Sequence, residues 1–175
     1  MVSGCGLKEI EKLIDNISRE DERKAAKAAL ATLETWRAST SGAVWDAVGV
    51  TYTSPKGIFR INYTWDFCVE IDGRKTAIHL WNTKATLSQD VVLACLTLLP
   101  TLYEGNLKAP EDFAVLSLRS QEPRLYRWSE STVAHKRLST ELVSHIEMKF
   151  EMLRSEVAPI VEPRKPAGDA LRSKA

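Results

Sequence analysis

The feature that most constrains the fold is a change in the spacing of apolar residues along the chain. In residues 7–17 they recur every three or four positions, which is the spacing of one helix face. In residues 59–65 they alternate with polar residues instead, as in a half-buried strand. Asp72 and Gly73 stand between two further apolar runs and indicate a tight hairpin. We therefore predict an antiparallel meander of three or four strands over residues 44–81.

The remaining segments predict a helix before the meander and alternating elements after it. Helical spacing covers residues 7–38, with a run of charges at its centre as a candidate break, and returns in 86–105 and 138–157. A second hairpin is predicted from 113–118 and 124–128. The element order is α-βββ(β)-α-ββ-α. Because the links between strands are short, it predicts an α+β fold, in which an antiparallel sheet of about five to six strands carries helices mainly on one face.

The chain length predicts a single domain. The chain has 175 residues, which is close to the ~150 residues of an average domain. From residue 158 the composition shifts, with three prolines and few apolar residues. We predict that residues 1–157 form the α+β domain and that residues 158–175 form a flexible C-terminal tail.

The charge of the chain is balanced. There are 24 Lys and Arg against 23 Asp and Glu, and no segment collects a large excess of either sign. Proteins that coat DNA or bind membranes through basic clusters need a large positive excess, which is missing here. No segment reaches the ~18 apolar residues of a membrane span, and no secretory signal is visible. We therefore expect a cytoplasmic protein that does not bind a membrane.

The sequence predicts no catalytic residue, no metal site and no cofactor. The phosphate-binding glycine loop and the paired-histidine, EF-hand, dinucleotide-binding and serine-hydrolase motifs are all absent. The three cysteines form no C-x-x-C pair, so neither a disulfide framework nor a zinc knuckle is indicated. A zinc site would need His79, His135 and His145 to converge from distant positions. These absences favour a protein that is not an enzyme.

The most suggestive stretch runs from Asp66 to Lys84. With the order of helix, meander, helix and strand, it resembles the core of restriction-endonuclease-like nucleases. Their motif is an Asp that opens one hairpin strand and a Glu-x-Lys on the next, where the carboxylates hold Mg²⁺ and the Lys orients or activates water. Asp66 fits the first position, whereas His79 and Trp81 replace the Glu and the Lys, and Lys84 is a substitute from the following loop. The resemblance implies a degenerate site that binds nucleic acid with little or no cleavage; the alternative is an ordinary hairpin with solvated charges.

The element order alone has a second resemblance. A helix, three strands, a helix, a hairpin and a helix is similar to small bacterial secretion chaperones. That resemblance implies a dimer that holds an unfolded segment of a partner protein on apolar patches.

Tryptophan is frequent in the predicted strands. Of the five Trp residues, four lie in strand-like segments, and alternation places Trp81 on the face of Ala77 and His79. Arginines can border such an aromatic face, which would then suit a protein hot spot or single-stranded nucleic acid. The predicted binding residues are Trp65, Trp81, Trp128, Arg60 and Arg127. The alternative is that the Trp residues only build the core between sheet and helices.

Together these patterns favour a non-enzymatic intracellular interaction domain, either an adaptor or a chaperone-like protein. We expect it to bind through the aromatic sheet face or the first helix. The expected partner is another protein, with a homodimer as one form of that interaction. The alternative is the nuclease-like fold that binds nucleic acid.

Overall fold

The computed structural model describes residues 7–83, 85, 87–119 and 123–157. The predicted flexible tail, residues 158–175, lies outside the described residues. The elements in chain order are α1 (Leu7–Asp15), α2 (Glu20–Ser39), β1 (Val44–Trp45), β2 (Val50–Thr53), β3 (Arg60–Tyr63), β4 (Phe67–Ile71), β5 (Arg74–Trp81), α3 (Gln89–Leu96), α4 (Leu99–Leu102), β6 (Asp112–Ser117), β7 (Arg124–Arg127), a 3₁₀ turn (Trp128–Glu130) and α5 (Val133–Val157).

The α+β class is confirmed. Five strands form one sheet in the order β1-β4-β5-β6-β7, and the pairs are antiparallel except for β5 with β6. The two strands of that exception run parallel because the chain between them crosses one face of the sheet through α3 and α4 before it returns. The sheet is therefore mixed rather than wholly antiparallel.

The meander predicted over residues 44–81 is divided between two sheets. β2 and β3 pair only with each other, as a separate hairpin, while β1, β4 and β5 belong to the main sheet. The turn of the hairpin is held by Ser54, whose hydroxyl accepts the backbone N–H groups of Ile58 at 3.0 Å and Phe59 at 3.3 Å. At the base of the hairpin, a Cβ on Gly49 would lie 2.9 Å from the carbonyl oxygen of Tyr63. Glycine thus permits the close approach of the two backbones.

Helices lie on both faces of the main sheet, with α2 on one face and α3 and α4 on the other. On one face Ile78 packs in a cluster with Trp36 of α2. On the other face Ala77 packs with Leu93 of α3. Neighbouring residues of β5 therefore face different helices, and burial on both sides follows from the apolar runs in β5 and β6. Each fully buried Leu or Ile side chain stabilises the fold by about 1.5–3 kcal/mol.

The last helix, α5, packs outside α3 and against the β2–β3 hairpin. Phe150 stacks on Phe59 with ring centroids 5.9 Å apart. The buried carboxylate of Glu147 accepts the backbone N–H of Lys56 at 2.8 Å. These contacts hold the β2–β3 hairpin against α5.

The long helix predicted over residues 7–38 is two helices. The break falls between α1 and α2, and Arg19 is the residue that precedes α2. Arg19 contacts carboxylate oxygens of Asp21 at 3.0 Å and Glu22 at 2.8 Å. Acidic residues in the first turn also suit the positive end of the helix dipole. Within the described residues, no helix is both long and apolar enough to cross a lipid bilayer.

Candidate functional site

A half-open apolar pocket lies between the β2–β3 hairpin, strand β5 and helix α3. Its volume is about 400 Å³, which is within the ~300–1,000 Å³ typical of ligand pockets. Residues from the hairpin and the loops around it, from two strands and from α3 line it. They are Ile61, Asn62, Tyr63, Thr64, Trp65, His79, Trp81, Leu87, Val91, Val92, Cys95, Leu96 and Val115.

The residue spacing along β5 and α3 places several of these side chains on the side of the pocket. On β5, His79 and Trp81 are two positions apart and therefore point to the same face. On the helix, Val91 and Cys95 are four positions apart and share one side. The pocket therefore lies between the C-terminal part of β5, one side of α3 and the β2–β3 hairpin.

The indole N–H groups of the two tryptophans that line the pocket are already bonded within the protein. The indole N–H of Trp65 donates to the hydroxyl of Tyr103 at 2.7 Å, and that hydroxyl donates to the carbonyl of Val48. The indole N–H of Trp81 donates to the carbonyl of Ala85 at 3.3 Å. The walls therefore present apolar surface although they contain groups capable of hydrogen bonding.

His79 lines the pocket and contacts Asp66, which lies beside the pocket lining. Nδ1 of His79 lies 3.2 Å from Oδ2 of Asp66, and the same oxygen accepts the backbone N–H of Leu80 at 2.7 Å. The side chains are less than half exposed, at 44% for His79 and 43% for Asp66.

Cys95 and Tyr63, which also line the pocket, stay uncharged at neutral pH. Cys95 contacts solvent through the pocket, but the apolar surroundings raise the pKa of its thiol by desolvation. Burial also raises the pKa of the Tyr63 hydroxyl, with smaller contributions from Cys95 and Tyr52. A nucleophilic cysteine needs a lowered pKa, so this arrangement favours binding over thiolate chemistry.

The structure brings together part of the predicted site. Trp65, Trp81 and His79 line the pocket, and Asp66 contacts His79. Trp128 lies in the 3₁₀ turn rather than in the predicted strand and packs edge-on against Phe113, with centroids 6.4 Å apart. Trp128 therefore packs against the cluster behind the pocket.

The two predicted arginines lie elsewhere. Arg60 is exposed on β3, where alternation points it away from the side shared by Ile61 and Tyr63. Arg127 is mostly buried, and its Nη2 lies 2.9 Å from the fully buried carboxylate of Asp112. Lys84, the proposed substitute for the nuclease lysine, lies outside the described residues.

Sequence reasoning missed the helical wall of the pocket. Leu87, Val91 and Cys95 belong to a segment whose apolar residues surround the whole helix, so the pattern indicated burial without distinguishing a pocket side. Among the described residues, no three His, Cys, Asp or Glu side chains lie close enough to hold a metal ion. Comparison with protein-family models, with curated proteins and with solved structures finds no significant match to this chain.

Proposed function

We propose that this protein is a non-enzymatic interaction domain that binds apolar side chains of a partner protein in the pocket between α3, β5 and the hairpin. The observation that carries the proposal is an open pocket whose aromatic N–H groups are already bonded inside the protein. Such walls gain little from a polar ligand and gain most from apolar surface that leaves water.

The expected binding energy follows from burial. Burying one large apolar side chain contributes about 1.5–3 kcal/mol before the entropy cost of association is subtracted. One anchor in the pocket is therefore too weak alone, and the partner segment must add contacts around it. The free thiols of Cys68 and Cys95 suit the reducing cytoplasm, which is the compartment that we propose.

Selection from displayed random peptides tests this function. We expect the selected peptides to share apolar or aromatic anchors, and Val91→Glu to weaken their binding at least about tenfold because it buries a carboxylate beside them. Val91 lines the pocket and is 41% exposed, so the variant can fold. Val133→Glu is the matched control, since Val133 is 79% exposed at the start of α5 and does not line the pocket.

A third variant separates the pocket from the first helix, the other surface considered for this interaction. Leu13 lies on α1 and is 63% exposed. If Leu13→Glu abolishes peptide binding and Val91→Glu does not, the first helix is the binding surface and the pocket proposal is wrong. Peptides that bind all three variants equally would also overturn it.

The nuclease-like alternative has one specific observation in its favour. The side chains at two of its motif positions, Asp66 and His79, lie 3.2 Å apart at the same end of β4 and β5, with Trp81 on the same face as His79. Against it, no Lys or Arg is among the described residues that line the pocket, so phosphate contacts have no source there. Binding of single-stranded DNA that weakens steeply as salt rises, and that His79→Ala removes, would support this second candidate.

A further inference from the structure

The C-terminal half of α5 carries a cluster of large apolar side chains that stay exposed. Earlier in the helix, Ser139 and Val143 are buried. Beyond them, the apolar side chains are between 37% and 55% exposed; they are Ile146, Met148, Phe150, Met152 and Leu153. Clustered exposed apolar side chains mark interaction surfaces, and a helix owes most of its stability to the packing of its apolar face. We therefore expect a partner to cover this end of α5.

The residues on this end of α5 form a self-complementary pattern. Glu147 accepts the backbone N–H of Lys56, and Glu151 contacts the ammonium group of Lys56 at 3.2 Å, so these two carboxylates face the β2–β3 hairpin. Another side of the helix carries four exposed residues whose spacing of three, four and seven positions places them together: Lys149, Met152, Leu153 and Glu156. Their order is basic, apolar, apolar and acidic. Reversing the direction of the helix exchanges the positions of the two charges.

We propose that the partner is a second copy of this chain, whose α5 packs antiparallel to the first about a two-fold axis between Met152 and Leu153. Residues equally far from that axis lie opposite each other, so Lys149 meets Glu156 of the second copy at both ends of the contact. Met152 and Leu153 pack between these two ion pairs. A parallel pair would instead place each lysine next to the lysine of the second copy, and like charges repel. These residues do not line the pocket, so the inference is independent of the proposed function.

The size of the contact limits the strength of the dimer. Residues 146–156 span about 16 Å along the helix axis. A standard protein interface buries about 800 Å² on each partner, which is more than a helical segment this short can supply. Methionine side chains are flexible enough to adapt to such a contact. We therefore expect a dimer that exchanges with the monomer and whose population rises with protein concentration.

Charge reversal in the full chain tests the arrangement. Sedimentation velocity over a series of concentrations should show a monomer–dimer equilibrium for the wild type. Lys149→Glu places acidic residues opposite each other at both ends of the contact, and Glu156→Lys does the same with basic residues, so each variant alone should dimerise about tenfold more weakly. Mixed in equal amounts, the two variants should form a heterodimer with the affinity of the wild type, because each supplies the charge that the other lacks. This recovery also shows that both variants fold.

A second pair of variants tests the apolar part of the contact. Leu153→Glu should abolish dimerisation, because it places two carboxylates in the apolar centre. Val133→Glu is the matched control, since Val133 is 79% exposed at the other end of α5, and it should leave the equilibrium unchanged. A chain that stays monomeric at every concentration would overturn the proposal and leave this face of α5 to a different protein. Dimerisation that is unchanged in Leu153→Glu, or in both charge variants, would overturn the antiparallel α5 contact. Neither result would alter the test of the pocket with selected peptides, because Val91 lies outside this surface.

Discussion

Replacing Arg127 with Met tests whether its role is to hold the fold. Nε and Nη2 of Arg127 each lie 2.9 Å from Oδ2 of Asp112, whose side chain is fully buried. The hydroxyl of Ser129 donates to the same oxygen at 2.8 Å. The guanidinium also contacts Asp72 at 2.6 Å, and the side chain of Asp72 is 77% exposed. One arginine thus pairs with a buried and an exposed carboxylate.

The two pairs should differ greatly in their contribution to stability. Arg127→Met leaves the charge of Asp112 inside the protein with only neutral donors, and removing one partner of a buried pair costs about 3–5 kcal/mol. Asp72→Asn keeps the size of the side chain and removes only the exposed pair, which contributes about 0–1 kcal/mol. The exposed contribution should also shrink in high salt, while the buried one persists.

Urea unfolding followed by Trp fluorescence measures both losses. The free energies of unfolding can be compared if the dependence on urea is the same for wild type and variants. The reasoning is refuted if Arg127→Met costs less than about 1 kcal/mol, the range of an exposed pair. It is also refuted if Asp72→Asn costs as much as Arg127→Met.

Two further predictions concern stability. The pKa values of Tyr63 and Cys95 are raised by burial from 10.0 and 9.0, so the unfolded chain loses these protons first. The stability that they contribute is therefore complete below about pH 9 and is lost as the pH rises further. The free energy of unfolding, measured at a series of alkaline pH values, should fall accordingly. The fall should be smaller in Tyr63→Phe, which lacks the titrating hydroxyl. Leu93→Ala should cost about 2–5 kcal/mol in urea unfolding because it opens a cavity in the core. Leu93 is 1% exposed, and the matched control Leu107→Ala, at a fully exposed Leu, should change the stability little; equal losses would contradict the assignment of Leu93 to the core.

The local pattern was sufficient to predict the two faces of β5. Alternation placed Trp81 with Ala77 and His79, and the structure gives the same grouping, with Ile78 in the opposite cluster. The reason is that side chains alternate strictly along a strand, so one apolar residue fixes the orientation of the others. Local spacing is less informative about which strands pair, because pairing is decided by contacts between distant residues.

The long link from β5 to β6 shows where local residue spacing did not determine how the strands pair. A helix between two strands permits a parallel crossover. The sequence predicts one helix over residues 86–105, and the structure has two shorter helices there, α3 and α4. The pairing of Arg127 with Asp112 had no local signal, since the two residues are 15 positions apart and charges in strands are usually solvated. The pair forms because β6 and β7 lie side by side in the sheet, and the local sequence pattern does not predict that pairing.

The interaction hypothesis and the nuclease-like hypothesis involve the same end of β5. Trp81 was predicted both as a binding aromatic residue and as the residue in place of the nuclease lysine, and His79 stands where that motif has a carboxylate. A magnesium site needs several oxygen ligands and open access to water. Here one carboxylate, that of Asp66, lies 3.2 Å from an imidazole, and an indole occupies the next position on that face. His79 and Trp81 supply no oxygen ligand, so a single carboxylate remains where the nuclease motif has two. The two rings add apolar surface to the pocket instead, which is the property on which the proposed protein-binding function depends.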